Sequence, residues 1–289
     1  MTRLAIAALN LLARLPLPWL RALGTGLGRV LFVLARSRRA VALRNLQLCF
    51  PELPEPQRRA WARASFEAFC QTFLDRGWLW SGSEALLRAR VKLTGAVAEL
   101  DDPSPIIVFA PHFYGMDAGG LALPLRTRRE FTSIYTANSN PVLDAWLTEG
   151  RQRFGASRML NRAEGVKPII SCLRKGGLLY LLPDMDHGAA GSLFVPFFAV
   201  PDAATLPSLS RFARLGRAKV LALYTRITPQ GYEARLTPAW QDFPTDDVAA
   251  DTARMNRELE AAIRTMPAQY YWVHRRFKTR PPGQESVYR

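Results

Sequence analysis

A five-residue apolar run, Ile106-Ile-Val-Phe-Ala110, is stopped by Pro111 and followed at once by His112, and it constrains this chain more than any other feature. The run has the length and the β-branched and aromatic content of a buried strand. The pattern returns at Leu178-Leu-Tyr-Leu-Leu182, again ended by a proline and followed by Asp184, Asp186 and His187. Strands this apolar belong to a sheet covered on both faces. With helical patterns between them, they imply an α/β fold, a mixed central β-sheet flanked by helices. In open sheets of this kind, the residues just beyond the carboxyl ends of the strands build the site.

The other elements follow from periodicity and punctuation. A helix is expected after Pro56, with Trp61, Phe66, Phe69, Phe73 and Trp80 as an aromatic stripe that either packs in the core or faces lipid. Further helices are expected over 118–125, over 141–154 with Pro141 in the first turn, and over 165–174, ended by Gly176 and Gly177. Strands are expected over 131–136, 219–225 and 232–237, the last two joined as a hairpin by the Pro229-Gln-Gly231 turn. Asp246 and Asp247 open a final helix with Val248, Thr252, Met255, Leu259, Ile263 and Met266 on one face, and Pro267 stops it.

His112 and Asp117 are five residues apart. On one helix such residues point ~140° away from each other, at ~3.6 residues per turn. They can meet only if the histidine is on the loop and the aspartate opens the next helix. That arrangement gives a general base oriented by an acid. A loop histidine that caps the helix is the other reading, and the spacing alone leaves both open. Asp184, Asp186 and His187 read as a loop that orients arginines or a substrate hydroxyl, since no further carboxylate at ligand spacing supports a metal. Cys172 falls mid-helix and no Gly-x-Ser-x-Gly elbow is present, so no covalent intermediate is expected. No Gly-rich nucleotide loop suggests a cofactor. Phe194, Phe197 and Phe198 lie in a Gly/Pro-bounded loop, either docked on the core or forming the wall of an acyl-chain groove.

Lys and Arg outnumber Asp and Glu 39 to 24, a formal net charge of +15. Such a balance seeks polyanions: nucleic acid, anionic lipid or an acidic carrier protein. No zinc-finger spacing or RNA-binding signature accompanies it, so nucleic acid is set aside. The three cysteines are unclustered, which argues against a disulfide framework and for a reducing compartment. Residues 1–40 read as a hydrophobic, Arg-rich helical segment that lies in or dips into a membrane surface, ahead of a main domain over 41–289. Arg14, Pro16, Pro18 and Arg21 interrupt it, so no unbroken run of ~18 apolar residues marks a span. Arg36, Arg38, Arg39 and Arg44 would sit on the cytoplasmic side. An ordinary helical hairpin packed on the core is the alternative.

Four segments, in order, carry a family likeness: Arg44-Asn-Leu-Gln-Leu-Cys-Phe-Pro-Glu52; Ala110-Pro-His-Phe-Tyr-Gly-Met-Asp117; Leu182-Pro-Asp-Met-Asp-His-Gly188 with Val195-Pro-Phe-Phe198; and Tyr271-Trp-Val-His-Arg-Arg-Phe-Lys-Thr-Arg-Pro281. From about residue 40 to 281 the chain resembles the lipid A biosynthesis acyltransferases, the late lauroyl and myristoyl transferases of Gram-negative bacteria, with a lysophospholipid-acyltransferase-like fold. The resemblance implies transfer of a fatty acyl chain from acyl carrier protein to a hydroxyl of a Kdo-lipid IVA-type glycolipid at the cytoplasmic face of the inner membrane. It implies that His112 is the general base, paired with Asp117, where the family often has glutamate. Arg151 and Arg162 would lie near phosphate or thioester oxygen, with Asp184 holding one of them. Met185 replaces a frequent glutamine and His187 a common tyrosine, departures that bear on acceptor fit. The same chemistry on a lysophospholipid, ornithine lipid or polyene glycolipid is one alternative. A non-catalytic basic protein of the membrane surface is the other.

Overall fold

A computed structural model describes residues 2–288. Four helices open the chain: α1 (Thr2–Leu12), α2 (Leu17–Leu34), α3 (Arg36–Cys49) and the long α4 (Glu55–Ser81). After α5 (Glu84–Arg90) come β1 (Val91–Gly95), β2 (Ile106–Phe109), α6 (Met116–Arg126), β3 (Phe131–Tyr135), α7 (Pro141–Arg151) and β4 (Ser157–Asn161). Then follow α8 (Lys167–Arg174), β5 (Leu178–Leu181), β6 (Leu193–Phe197), β7 (Val200–Thr205) and α9 (Ser208–Gly216). The chain ends with β8 (Lys219–Thr228), β9 (Gly231–Leu236) and α10 (Val248–Thr265).

The sheet has seven strands in the order β1-β9-β8-β2-β5-β3-β4, parallel except for the antiparallel β8–β9 hairpin. It is the mixed sheet that the apolar runs imply. Residues alternate between its faces. Ile106, Val108, Leu178, Tyr180, Leu221 and Leu223 join the cluster that packs α2, α4 and α6 on one side. Ile107, Phe109, Leu179, Leu181, Val220 and Ala222 join the cluster that packs α8, α9 and α10 on the other. Both faces are covered, which is why β2 and β5 carry no charged residue. Asp247 caps α10 by accepting from the backbone N–H groups of Ala249 and Ala250, as its position before the periodic face suggests.

The edge strands β1 and β4 are not among the expected strands, and two further features depart from the sequence reading. Residues 193–205 form the β6–β7 hairpin rather than a loop. Pro196 breaks the alternation in sequence, and the turn places Phe198 at φ 53°, a residue type that does not announce a turn. The second departure is at the N-terminus. Helix α2 is, by length and composition, enough to cross a membrane, with a mean hydropathy of 1.2. The boundary expected at residue 40 falls inside α3.

Candidate active site

Strands β2 and β5 are parallel neighbours with Phe109 opposite Leu181. His112 and Asp184 each stand three residues past those partners, so the register itself brings them level. The His112 ring Nδ1 lies 2.7 Å from Asp184 Oδ1, and the His112 backbone N–H donates to Oδ2 at 3.0 Å. The Tyr270 hydroxyl donates to the same Oδ2 at 3.0 Å. Asp184 is fully buried. Burial alone would raise its pKa; the His112 ring, the two bonds from His112 and the Tyr270 hydroxyl outweigh this and hold it below the ordinary carboxylate value. An ionised Asp184 can only accept, so Nδ1 carries the proton and Nε2 is left as the basic nitrogen.

Asp117 does not partner His112, contrary to the spacing argument. It does open α6, while His112 is on the loop, as that argument required. But its carboxylate is taken up by two guanidiniums. Arg76 of α4 donates to Oδ2 through Nε at 2.8 Å and sits within 2.7 Å through Nη2, and Arg151 of α7 donates to Oδ1 at 3.0 Å. Burial opposes ionisation of Asp117, yet Arg151 and Arg76 prevail and bring its pKa down to about 2. A buried carboxylate flanked by two arginines has no reason to turn to a histidine. Asp184 is therefore the acid beside His112, and it holds neither Arg151 nor Arg162. Arg162 instead donates to His187 Nδ1 at 2.9 Å.

His112, Asp117, Arg151, Arg162 and His187 all line one cavity of about 560 Å³ that opens at the carboxyl ends of the strands. Much of its lining is apolar, including Leu121, Phe131, Ile134, Met159, Ile169 and Phe212. The three phenylalanines expected to wall it do not. Phe197 is fully buried and meets Phe198 edge-to-face and Phe277 at a tilt. Phe198 lies against Phe50 and under Arg264, and Phe194 is exposed. Phe197 and Phe198 dock the hairpin on the core. Asp186 serves structure too: its carboxylate accepts from the Thr279 backbone N–H and hydroxyl, each at 2.8 Å. Among the described residues, no group of three or more His, Cys, Asp or Glu side chains could hold a metal ion.

Two residues that contact the site carboxylates, Arg76 and Tyr270, escape the sequence reading. Arg76 follows Asp75 in a helix otherwise read as an aromatic stripe, and that charged pair among aromatics was the available signal. Tyr270 belongs to a C-terminal strap. The backbone N–H of Tyr271 donates to the His112 carbonyl at 3.1 Å, and that of Tyr114 donates to the Gln269 carbonyl at 2.9 Å. Asn45 in turn donates to the carbonyls of Trp272 at 2.7 Å and His274 at 2.6 Å. The strap thus holds the His112 loop, and Asn45 holds the strap, so the segments 44–52 and 271–281 meet at the histidine segment.

An α/β sheet with a histidine–carboxylate pair at an apolar, arginine-rimmed cavity suits proton abstraction from a hydroxyl beside a long apolar chain, the chemistry of an O-acyltransferase. The comparisons agree. The family model for bacterial lipid A biosynthesis acyltransferases matches residues 1–279, and the chain belongs to that family. It is 34% identical to the lipid A biosynthesis lauroyltransferase of Escherichia coli K12, over 100% of this chain and 94% of that protein. It is 31% identical to the palmitoleoyltransferase of the same organism, over 100% and 94% of the two chains, and 32% identical to its myristoyltransferase, over 99% and 89%. The protein is an acyltransferase of lipid A biosynthesis.

Proposed function

We propose that the protein moves a fatty acyl chain from acyl carrier protein to a hydroxyl of a Kdo-lipid IVA-type glycolipid at the cytoplasmic face of the inner membrane. The observation that carries the reading is the His112–Asp184 pair, whose free Nε2 borders the cavity. Nε2 takes the proton of the acceptor hydroxyl as its oxygen attacks the thioester carbonyl carbon. The tetrahedral oxyanion forms beside Arg151, which Asp117 holds in place. Collapse expels the carrier thiolate, which takes the proton back from the imidazolium. The acyl chain occupies the apolar part of the cavity. Arg162, at its rim, meets acceptor phosphate. No covalent acyl-enzyme is needed and no cofactor takes part.

The net charge of +15 suits both an acidic carrier protein and an anionic glycolipid. Helix α2 supports attachment to the membrane surface rather than a crossing. One face, with Leu17, Leu20, Arg21, Gly24, Gly28 and Phe32, packs inward. Arg21 pairs with the fully buried Asp75 of α4 at 2.8 Å, and a β-carbon at Gly28 would come within 2.4 Å of the Glu67 backbone. Helix α2 is bolted to α4. Its other face, with Trp19, Leu23, Leu27, Val30 and Val33, is exposed and apolar, as in a helix that lies in the interface plane.

The test is transfer by the purified protein, followed by mass spectrometry, with acyl carrier protein or coenzyme A as donor. The acceptors are the glycolipid with and without its phosphates, and a lysophospholipid. The reading expects transfer from the carrier protein to the phosphorylated glycolipid, at least tenfold better than from coenzyme A or to the other acceptors. Preference for the lysophospholipid would overturn it.

A further inference from the structure

Pro267 stops α10, and one short turn over Pro267–Gln269 carries the chain into the strap. The next residue, Tyr270, pairs with Phe113 in an antiparallel bridge beside the His112 loop. Backbone bonds flank it on both sides. The Tyr271 N–H donates to the His112 carbonyl at 3.1 Å, and the Tyr114 N–H donates to the Gln269 carbonyl at 2.9 Å. The Tyr270 ring meets Phe113 and Trp272 edge-to-face, at centroid distances of 5.7 Å and 5.0 Å. The indole N–H of Trp272 donates to the Pro267 carbonyl at 2.6 Å and closes the strap on itself. Backbone and packing therefore fix this ring without help from its hydroxyl. Phenylalanine would keep every one of these contacts.

The hydroxyl is what phenylalanine lacks, and Tyr270 is buried. Burying a hydroxyl costs free energy unless it finds a partner. Its partner is Asp184 Oδ2, at 3.0 Å. That oxygen also accepts from the His112 backbone N–H at 3.0 Å, while Oδ1 lies 2.7 Å from His112 Nδ1. Two donors from separate segments fix the plane of the carboxylate. With one of them gone, the group can turn about its Cβ–Cγ bond and carry Oδ1 away from the ring. Burial and the Asp184 charge push the Tyr270 hydroxyl well above its ordinary pKa, so it stays a donor.

We infer that Tyr270 is a positioning residue for the transfer: its hydroxyl, placed by the strap, locks the Asp184 carboxylate so that Oδ1 faces the His112 ring. The inference rests on the reading of His112 as the base. It has a consequence for pH. Protonating His112 neutralises the carboxylate charge that the hydroxyl bond serves, so that bond is stronger before the proton arrives than after it. Losing the hydroxyl makes proton uptake by the pair easier, and the acid limb of the rate moves to higher pH. His187 and His274 also face the pair, and Arg276 faces Tyr270. They are the same in every variant, so the shift is read against the wild type.

The experiment measures kcat, KM and the pH profile of transfer from acyl carrier protein, with Tm, for the full-length wild type, Tyr270→Phe and Tyr224→Phe. Tyr224 is the control: its ring packs on Phe113, but its hydroxyl donates to the Glu258 carbonyl at 3.3 Å rather than to Asp184. Tyr270→Phe should lower kcat about tenfold, the worth of one charge-assisted hydrogen bond, with KM within about twofold. Its acid limb should rise by about half a pH unit or more. Tyr224→Phe should match the wild type in both. An unchanged kcat, an unmoved limb, or the same loss in Tyr224→Phe would overturn the inference. If Tyr270→Phe does not fold, replacement of Tyr270 by 3-fluorotyrosine decides. The fluorine makes the hydroxyl a stronger donor, so the limb should move to lower pH, and an unmoved limb overturns the inference. If Asp184→Asn transfers acyl as the wild type does, the His112–Asp184 reading itself fails. If Asp184→Asn is impaired and Tyr270→Phe is not, this inference alone falls.

Discussion

His112 and Asp184 are 72 residues apart in sequence and 2.7 Å apart at the ring nitrogen and carboxylate oxygen. Two parallel strands in register, each ended by a proline one residue before the functional group, put them there. The carboxylate fixes both the tautomer and the orientation of the ring. Asp184→Asn keeps the size but removes the charge and the acceptor-only character, so kcat should fall on the order of 10²-fold or more. The loss should appear in kcat rather than KM. A large rise in KM with kcat intact would place Asp184 in substrate binding instead.

In the proposed reaction Asp117 acts through Arg151, which it contacts at 3.0 Å. Asp117→Asn and Arg151→Ala should each cost roughly tenfold or more in kcat/KM, at about 1.4 kcal/mol per decade. The double variant should be little worse than either single one, because both break the same contact. Asp117→Asn also leaves two guanidiniums short of a buried counter-charge, so its Tm should fall while Asp184→Asn falls less. Strictly additive kinetic effects would mean that the two side chains act independently.

The outer face of α2 carries no buried partner, so it can be changed without loss of fold. Replacing Leu23 and Leu27 by glutamate should release the protein from anionic phospholipid vesicles in a sedimentation assay, with Tm within about 2 °C of the wild type, since exposed substitutions rarely exceed ±0.5 kcal/mol. Arg21→Leu should do the reverse: it keeps the apolar face but leaves Asp75 buried without its cation, at a cost of about 3–5 kcal/mol. Vesicle binding by the glutamate variant equal to that of the wild type would locate the membrane contact elsewhere.

His274 gives the protein a pH dependence of its own. Burial, then the charges of Arg276, His112 and Lys278, bring its pKa down to about 4, while in the unfolded chain it titrates near ~6.5. Between those values the unfolded state binds more protons, so stability rises with pH. The contribution is complete above the unfolded value and is lost as pH falls toward about 4. In the folded state the ring Nε2 accepts from the Asp186 backbone N–H at 3.2 Å. His274→Gln, which can still accept there, should lose less denaturation midpoint than the wild type between pH 7 and pH 4.5. An identical slope in both would mean other groups carry the acid sensitivity.

The strand cores, the β8–β9 hairpin and α10 were legible because apolar runs, a Pro-Gln-Gly turn and an Asp cap are local signals. His112 was legible for the same reason: it follows the end of a strand. The partner of His112 was not, although the same strand-proline-acid pattern at Leu178–Asp184 stood in the sequence. Which strands lie side by side, and in what register, is a tertiary fact, and Asp117 looked nearer only along the chain. Arg76 was hidden for a related reason, since α4 meets α6 through packing that no local spacing announces. Phe197 and Phe198 stayed open between core docking and a groove wall because a loop rich in phenylalanine and a hairpin docked on a core have the same composition.

The most direct measurement is single-turnover acyl transfer by His112→Ala, with folding verified by Tm and by retained binding of the acyl carrier protein donor. With His112 as the base, the variant should bind its donor as the wild type does and transfer acyl at a rate lower on the order of 10²-fold or more. A folded His112→Ala protein that transfers acyl at close to the wild-type rate would contradict the account.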